Sequence, residues 1–234
     1  MAENEFGVVI HSGGMDSSIC LAMAVQNQKK RPKSLTFFYD QRHQVEIVQA
    51  KKIAEYFDVG HETIDLGFLS QISRSNALLQ HDLKIQGGEK LNTAVYGRNA
   101  LMVLVASIRA NYYGFSAVTT GVLELEEANS GYKDCSRRYM DQLQGLLRME
   151  YGLDFSIRTP LVFMTKCETM IEAKKLGVLD YLLEETVSCY EGIQKVGCRH
   201  CPACRLRNQA IYDLMDMIDF DCSYKDEIRS LFKK

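Results

Sequence analysis

Residues 8–25 read VVIHSGGMDSSICLAMAV: an apolar run, a cluster of small polar residues, and a second apolar run. The first run is apolar almost throughout, which is typical of a parallel strand covered on both faces. The second run predicts a helix over residues 17–28. A glycine-rich turn between a buried strand and a helix N-terminus presents free backbone N–H groups and partial positive charge. The stretch therefore predicts an anion site at the carboxyl end of the first strand.

The same alternation of short apolar runs and longer periodic segments continues along the chain. Strands are predicted over residues 6–11, 35–39, 61–66 and 117–121, and further helices over residues 45–57 and 99–113. Thr165 to Glu168 forms a capping-box pattern that opens another helix, which Gly177 would end. Strand–helix–strand units of this kind are right-handed and build a parallel sheet with helices on both faces. The predicted fold class is α/β, a Rossmann-like domain built on a parallel sheet.

Two stretches depart from this alternation. Residues 73–95 are polar and weakly periodic, and they are long enough to be either disordered or a functional lid. From Thr186 onward a cluster of cysteines dominates. A helix is predicted over residues 203–217, and Ser223 is a candidate cap for a short final helix. We predict one α/β domain over residues 1–185 and a small metal-bearing appendage over residues 186–234 that packs on it.

Composition narrows the class of protein. The chain has 234 residues, a net charge of −2 and 46% hydrophobic residues, which are ordinary globular values. Proteins that hold long nucleic acids usually carry a basic excess, so direct nucleic-acid binding is not expected. The acidic N-terminus and the absence of a long apolar stretch predict a cytoplasmic protein that makes no membrane contact. A homodimer is the expected oligomeric state on general grounds.

The type of anion site follows from what the loop lacks. A Walker A loop requires a lysine, and a dinucleotide fingerprint requires a third glycine; neither is present. Ser12-Gly13-Gly14-Met15-Asp16-Ser17 instead resembles the pyrophosphate loop of the ATP-pyrophosphatase superfamily, which implies ATP. The predicted nucleotide-binding residues are His11, Ser12, Gly13, Gly14, Met15, Asp16, Ser17 and Ser18. Asp16 is expected near Mg²⁺ or a ribose, and the alternative is a tight turn with a serine cap.

Four of the eight cysteines lie within sixteen residues. Cys189, Cys198, Cys201 and Cys204 have the spacing C-x8-C-x2-C-x2-C. Four thiolates suit a closed tetrahedral Zn²⁺ site, which is structural because no coordination position stays open. An iron–sulfur cluster is the alternative, although the usual position of a fourth cysteine is occupied by Asn208. His200, inside the same loop, is expected to face solvent.

Read together, the loop and the cysteines resemble the 7-cyano-7-deazaguanine synthase family of queuosine biosynthesis. The resemblance extends over nearly the whole chain. It is carried, besides the two motifs, by Gln41-Arg42-His43, Asn92-Thr93, Gly97-Arg98-Asn99, Ser130-Gly131-Tyr132, Asp134-Cys135, Thr159-Pro160-Leu161, Ser188-Cys189-Tyr190-Glu191-Gly192 and Arg205-Leu206-Arg207. It implies an ATP-dependent ligase that converts 7-carboxy-7-deazaguanine and ammonia into the nitrile through adenylate and amide intermediates.

The resemblance also suggests roles for individual residues. The candidate catalytic residues are Asp16, Arg98 and His43, and the candidate substrate-binding residues are Tyr39, Gln41, Arg42, Arg98, Asn99, Tyr132 and Asp134. Arg98 would pair with the substrate carboxylate or the phosphates, because a guanidinium engages either in a bidentate way. His43 is either a general base or a structural histidine, and Asn99 is either a ligand or a helix cap. Asp134 either accepts the N–H donors of a guanine-like base or is a solvated loop residue.

Departures from the family pattern leave other functions open. Phe38-Tyr39-Asp40 and Val95-Tyr96-Gly97 differ from the usual sequences before Gln41 and Arg98. These differences lie around the expected base pocket and not in the ATP loop. A relative that transfers the activated acid to another amine is therefore one alternative. A tRNA thiolase with an iron–sulfur cluster is a second, and a non-catalytic nucleotide sensor or interaction module is a third.

Overall fold

A parallel sheet of five strands forms the centre of the protein. The computed structural model describes residues 6–26, 30–40, 44–72, 95–125 and 132–232. The strands are β1 Val8–Ile10, β2 Lys33–Phe38, β3 Gly60–Asp65, β4 Ala117–Thr120 and β5 Ser156–Arg158, and they lie in the order β3-β2-β1-β4-β5. All four pairings are parallel, and the central β1 places Val9 opposite both Ser34 and Thr119. The structure thus confirms the α/β class.

Helices cover both faces of this sheet. They are α1 Met15–Gln26, α2 Val45–Tyr56, α3 Leu69–Ile72, α4 Arg98–Tyr112, α5 Arg137–Tyr151, α6 Lys166–Lys175, α7 Leu179–Glu185, α8 Pro202–Leu214 and α9 Lys225–Phe232, with a 3₁₀ turn at Lys133–Cys135. Alternate residues of β1 belong to different cores, because successive strand side chains point to opposite faces. Val8 packs with α4 and α5, whereas Val9 packs with α1, α6, α7 and α8.

Two elements of the sheet layer are absent from the sequence prediction. The strand β5 has three residues, too few for a periodic signal. The helix α5 buries Met140, Leu143 and Leu147 at helical spacing, but its remaining positions are mostly polar and include Gly145. The first helix also begins two residues earlier than predicted, at Met15, inside the polar cluster.

The segment after α7 shares a core with the rest of the chain. Ile211 and Leu214 of α8 and Ile228 of α9 belong to the same buried cluster as Ile19 of α1. The buried Arg207 guanidinium donates to the carbonyl oxygens of Leu183 and Lys195 and to the Tyr224 hydroxyl. The appendage is therefore tied to α7 by hydrogen bonds as well as by apolar contact.

The predicted cap at Ser223 differs from the structure. The Ser223 hydroxyl and backbone N–H both donate to the Glu184 carboxylate, at 2.8 and 2.6 Å. The helix α9 begins at Lys225, and Ile228 N–H donates to the Tyr224 carbonyl. Ser223 therefore joins the final helix to α7 instead of capping it. Within the described ranges, no helix has the length and apolar character needed to cross a membrane.

Candidate active site and cysteine cluster

The loop between β1 and α1 fits closely against its neighbours. Gly13 has a φ of 80°, and a Cβ there would lie 2.3 Å from the Glu46 carbonyl oxygen. A Cβ on Gly121, just after β4, would lie 2.8 Å from the backbone nitrogen of Ser17. Only glycine fits at both positions, since a left-handed backbone and a close backbone approach exclude a side chain. The carboxyl end of β4 can therefore approach the first turn of α1.

Serine hydroxyls fix the loop from inside. Ser17 and Ser18 both donate to the Gly14 carbonyl, at 3.1 and 2.8 Å. The backbone N–H of Ser12 donates to the Ser17 hydroxyl at 3.1 Å. Ser12 and Ser17 line a cavity, whereas Ser18 is fully buried on the core side. Of the eight predicted phosphate ligands, all but Gly13 and Ser18 therefore line the cavity.

Asp16 and Lys166 form an ion pair where the loop faces the cavity. Asp16 lies in the first turn of α1, and Lys166 is the first residue of α6, whose capping box joins Thr165 and Glu168. The Lys166 ammonium donates to Asp16 Oδ2. The other oxygen, Oδ1, is buried and has no hydrogen-bond partner in the described part of the chain. A carboxylate oxygen of this kind suits a hard divalent cation such as Mg²⁺.

The sequence analysis did not identify Lys166 as a site residue. The capping-box pattern placed it at a helix N-terminus, but only the packing of α6 against α1 brings it to Asp16, 150 residues away. A lysine in a first helical turn is opposed by the helix dipole, which favours negative charge there. That unfavourable placement was the available signal of a functional role.

The cavity extends from the loop across the carboxyl edge of the sheet. Its volume is about 330 Å³. Its lining includes His11, Ser12, Gly14, Met15, Asp16 and Ser17 of the loop together with Lys166, and also Tyr39, Glu46, Arg98, Asn99, Tyr132, Cys135 and Tyr190. Open parallel sheets bind their ligands at this edge. Gln41, Arg42 and His43 lie outside the described residues.

Arg98 supplies a partly buried cation to the cavity lining. It is the first residue of α4, after Gly97 with a φ of 79°, and is thus another cation at a helix N-terminus. The guanidinium hydrogen bonds to the Tyr39 hydroxyl and lies 5.5 Å from that ring. Glu46 and Asp134 are near it, yet it forms an ion pair with neither. Arg98 can therefore bind an anionic ligand without first breaking an ion pair with these carboxylates.

The other predicted substrate residues that the structure describes lie around Arg98, with two corrections. Asn99 is not the helix cap, since Gly97 holds that position; its amide donates to Cys135 Sγ at 3.7 Å. Asp134 does not line the cavity, although Tyr132 and Cys135 do. Burial raises the pKa of the Cys135 thiol to about 12, so this cysteine is protonated near neutral pH. A thiolate nucleophile is therefore not available at Cys135.

Glu46 is a second cavity residue that the sequence analysis did not single out. It lies in the first turn of α2, directly after the predicted start of that helix. Burial raises the pKa of its carboxyl group to about 8; Arg98 opposes this shift and Cys189 adds to it. A glutamic acid that titrates near neutral pH inside a cavity is a candidate for proton transfer or for hydrogen bonding to a ligand.

The four predicted cysteines converge next to the cavity. The Sγ atoms of Cys189, Cys198, Cys201 and Cys204 all lie within 4.8 Å of one another. Cys198 Sγ and Cys204 Sγ are 3.9 Å apart. Tetrahedral Zn²⁺ with Zn–S bonds of about 2.3 Å places sulfurs about 3.8 Å apart, so the arrangement can hold a metal ion.

The surrounding backbone favours thiolates in this cluster. Backbone N–H groups of Glu191, Cys201 and Cys204 donate to three of the sulfurs, at 3.3 to 3.4 Å. Hydrogen bonds from Cys201 and then Cys204 lower the pKa of the Cys189 thiol, and the hydrogen bonds with Cys189 raise the pKa of Cys201 and Cys204. The cluster alone therefore favours a thiolate at Cys189, and a bound metal ion would displace the protons of Cys201 and Cys204.

His200 faces solvent, as expected. Its ring nitrogens contact the Cys198 carbonyl at 2.8 Å and Glu191 Oε1 at 3.0 Å. Those two hydrogen bonds, the first more than the second, raise the pKa of His200. Its ring is therefore engaged with the loop backbone and Glu191, and the four cysteines form the more buried donor set.

A glycine loop, an acidic residue with an orphaned oxygen and a Rossmann-like sheet define an ATP-utilising enzyme of the pyrophosphate-loop type. Residues 7–215 match the family described as "Queuosine biosynthesis protein QueC". The chain belongs to the QueC family, and its function lies in the queuosine pathway. Its fold is similar to that of an NMN synthetase from Francisella tularensis, with a TM-score of 0.51 and 18% identity over 99% of this chain and 85% of that one.

Proposed function

We propose that the protein is an ATP-dependent carbon–nitrogen ligase that converts 7-carboxy-7-deazaguanine and ammonia into 7-cyano-7-deazaguanine. The observation that carries the proposal is the content of one cavity. The glycine loop and the Asp16–Lys166 pair line this cavity together with Arg98, Tyr39 and Tyr132. One cavity therefore contains both a loop suited to a triphosphate and a guanidinium suited to a carboxylate.

The proposed reaction needs both the triphosphate loop and the carboxylate-binding residues. A carboxylate is a poor electrophile because its leaving group would be oxide. Attack of the substrate carboxylate on the α-phosphorus of ATP releases pyrophosphate and gives the acyl adenylate. Ammonia then displaces AMP, giving the amide and releasing a proton. A second ATP-dependent activation of the amide oxygen makes that oxygen the leaving group, and loss of two N–H protons leaves the nitrile.

In this scheme the residues position the two substrates and stabilise the negative charge of the phosphates and the carboxylate. Backbone N–H groups of the loop and the Lys166 ammonium would face the phosphates, and Asp16 Oδ1 would hold Mg²⁺. Arg98 binds the substrate carboxylate, and Tyr39 and Tyr132 border the deazapurine. Such electrostatic and positional contributions are usually the largest in phosphoryl and adenylyl transfer. Gln41, Arg42 and His43 retain their proposed roles as substrate and base residues.

The cysteine cluster is proposed to hold Zn²⁺ in a structural role. Four thiols complete a tetrahedral set, so the ion would have no open position for a substrate. Its contribution would be to fold the loop that carries Ser188 and Tyr190 to the cavity wall. Metal analysis of purified protein tests this: one equivalent of zinc in colourless protein supports it, and visible absorbance from iron and sulfide contradicts it.

The proposed reaction is tested by incubating the protein with MgATP, ammonium chloride and 7-carboxy-7-deazaguanine and identifying products by mass spectrometry. We expect the nitrile, with the amide as a transient. Asp16→Asn should abolish both products. Arg98→Lys should raise the KM for 7-carboxy-7-deazaguanine more than the KM for ATP. Accumulation of amide or adenylate without nitrile would instead favour transfer to another amine. ATP binding without any turnover would favour the non-catalytic sensor.

A further inference from the structure

A buried hydrogen-bonded chain runs across the sheet to the phosphate loop. His61 of β3 contacts Ser34 of β2 through Nδ1, with an N···O distance of 2.9 Å. Ser34 Oγ also contacts His11 Nδ1 at 3.0 Å, and His11 Nε2 contacts Ser18 Oγ at 3.0 Å. The Ser18 hydroxyl ends the chain at the Gly14 carbonyl, 2.8 Å away. His11, Ser18 and Ser34 are fully buried.

The number of protons available fixes which group donates and which accepts at each hydrogen bond from His61 to Gly14. Ser18 has a single hydroxyl proton and donates it to a carbonyl, which can only accept. Ser18 Oγ must therefore accept from His11 Nε2–H. Burial, with a smaller contribution from His61, lowers the pKa of His11 to about 3, so the ring is neutral. Its Nδ1 then accepts from Ser34, and Ser34 in turn accepts from His61 Nδ1–H.

The end of the chain is the peptide group that shapes the loop. The Gly14 carbonyl receives the Ser18 hydroxyl, the Ser17 hydroxyl and the Ser18 backbone N–H, at 2.8, 3.1 and 3.1 Å. If that peptide turned its oxygen toward the cavity, it would present negative charge to a phosphate. Donors that hold the carbonyl therefore also keep the loop N–H groups available for the anion.

We propose that His11 is a positioning residue: through Ser34 and Ser18 it fixes the phosphate-binding conformation of the loop. This rests on the proposed function only in that the loop binds the phosphates of ATP. Neutral His11 donates to Ser18 and accepts from Ser34, a combination that no apolar residue supplies. Ser18 acts from the core side and does not itself contact phosphate.

The chain tolerates a charge at its outer end. His61 is about half-buried; Lys51 and Glu55 of α2 and the adjacent Glu62 surround it, and burial lowers its pKa. Protonated His61 still donates from Nδ1, so the order of donors is unchanged. A proton on His11 Nδ1 would face the Ser34 donor and break the chain.

Affinity for a non-hydrolysable MgATP analogue tests the positioning role. Isothermal calorimetry on wild type, Ser34→Ala and His11→Phe should show Kd values raised by roughly three- to tenfold in Ser34→Ala, and more in His11→Phe, the range that one or two lost hydrogen bonds imply. Ser107→Ala removes a buried hydroxyl that bonds only within α4 and is the matched control. Equal affinity in Ser34→Ala and wild type would overturn the proposal. A wild type that fails to bind the analogue would instead overturn the proposed function.

The tautomer gives a readout that a general loss of stability does not move. Long-range ¹⁵N–¹H correlation spectra of histidine-labelled wild type should show one buried ring, absent in His11→Phe, that stays neutral and Nε2-protonated from about pH 5 to 8. In Ser34→Ala, which retains the ring, the Nδ1 shift should change because its donor is lost. A charged ring, or one protonated on Nδ1, would contradict the assigned direction.

Discussion

At the scale of single residues, the site depends on cations placed where a helix alone would not favour them. Lys166 and Arg98 are the first residues of α6 and α4, and the helix dipole disfavours positive charge there. Both side chains reach the cavity. Their placement is explained if an anion occupies the space between them, because a bound triphosphate or carboxylate reverses the sign of the local field.

Lys166 provides the first prediction. Lys166→Met should lower the rate of ATP-dependent pyrophosphate release by on the order of a hundredfold, the range seen when one preorganised electrostatic contact is removed. Lys166→Arg should retain part of the activity because the charge remains. Lys174→Met, in the last turn of the same helix and paired with Asp180 at the surface, is the control and should behave as wild type. Equal rates in Lys166→Met and Lys174→Met would show that Lys166 does not act on ATP.

Glu46 provides a prediction with a defined pH window. Its pKa is about 8 in the folded protein and near 4.5 in the unfolded chain, so ionisation opposes folding. The cost begins above pH 4.5, grows until about pH 8 and is then constant, by at most about 1.4 kcal/mol for each pH unit. Glu46→Gln cannot ionise. Its melting temperature relative to wild type should therefore rise between pH 5 and 8.

The matched control for Glu46 lies on the same helix. Glu55 is exposed and pairs with Lys51 at 3.9 Å, so Glu55→Gln removes a carboxylate that does not line the cavity. Its melting temperature should differ from that of wild type by a nearly constant amount over the same pH range. A parallel rise in both variants would assign the effect to net charge instead of burial.

At the scale of elements, the sequence predicts short local motifs but not the features that form only when several strands and helices pack together. The loop after β1 carries its chemistry within eight residues, 11–18, and the cysteine cluster within sixteen, 189–204, so each could be identified from a short local motif. The strand β5 is too short for a periodic signal, and α5 has too few apolar positions. The chain from His61 to Ser18 exists only because β3, β2 and β1 pair in one register, which a linear pattern does not contain.

The turn before the first C-x2-C step depends on one glycine. Gly197 has a φ of 70°, and a Cβ there would lie 2.3 Å from Cys204 Sγ. Gly197→Ala should therefore displace a metal ligand and lower zinc content well below one equivalent, measured by mass spectrometry of the metal. Gly177→Ala is the control, because that glycine also has a positive φ, 73°, but no atom within 4 Å of the added carbon. Full zinc occupancy in Gly197→Ala would show that the loop can shift without losing the ion.

At the scale of the whole molecule, the two predicted segments share one interior. The residues of α8 and α9 pack in the same cluster as α1, and Arg207 bonds to the Leu183 carbonyl, before the cysteine loop, and to the Lys195 carbonyl within it. The cysteine cluster itself packs against Val45 at the start of α2. A change at the cysteine cluster would therefore reach α2, which carries Glu46, and the phosphate loop, because Val187 of the same cluster donates its N–H to the Gly13 carbonyl.

Zinc removal should accordingly destabilise the entire chain and not the appendage alone. Wild type dialysed against a strong chelator should unfold in one calorimetric transition, with a melting temperature lower by on the order of 10 °C, because a structural ion contributes folding free energy directly. Zinc readdition should restore it. Cys201→Ser should reproduce the apo protein, whereas Cys167→Ser, whose thiol hydrogen bonds to Met217 and lies outside the cysteine cluster, should keep its zinc. Two separate transitions, only one of them moved by the chelator, would mean that residues 186–234 unfold independently of the sheet.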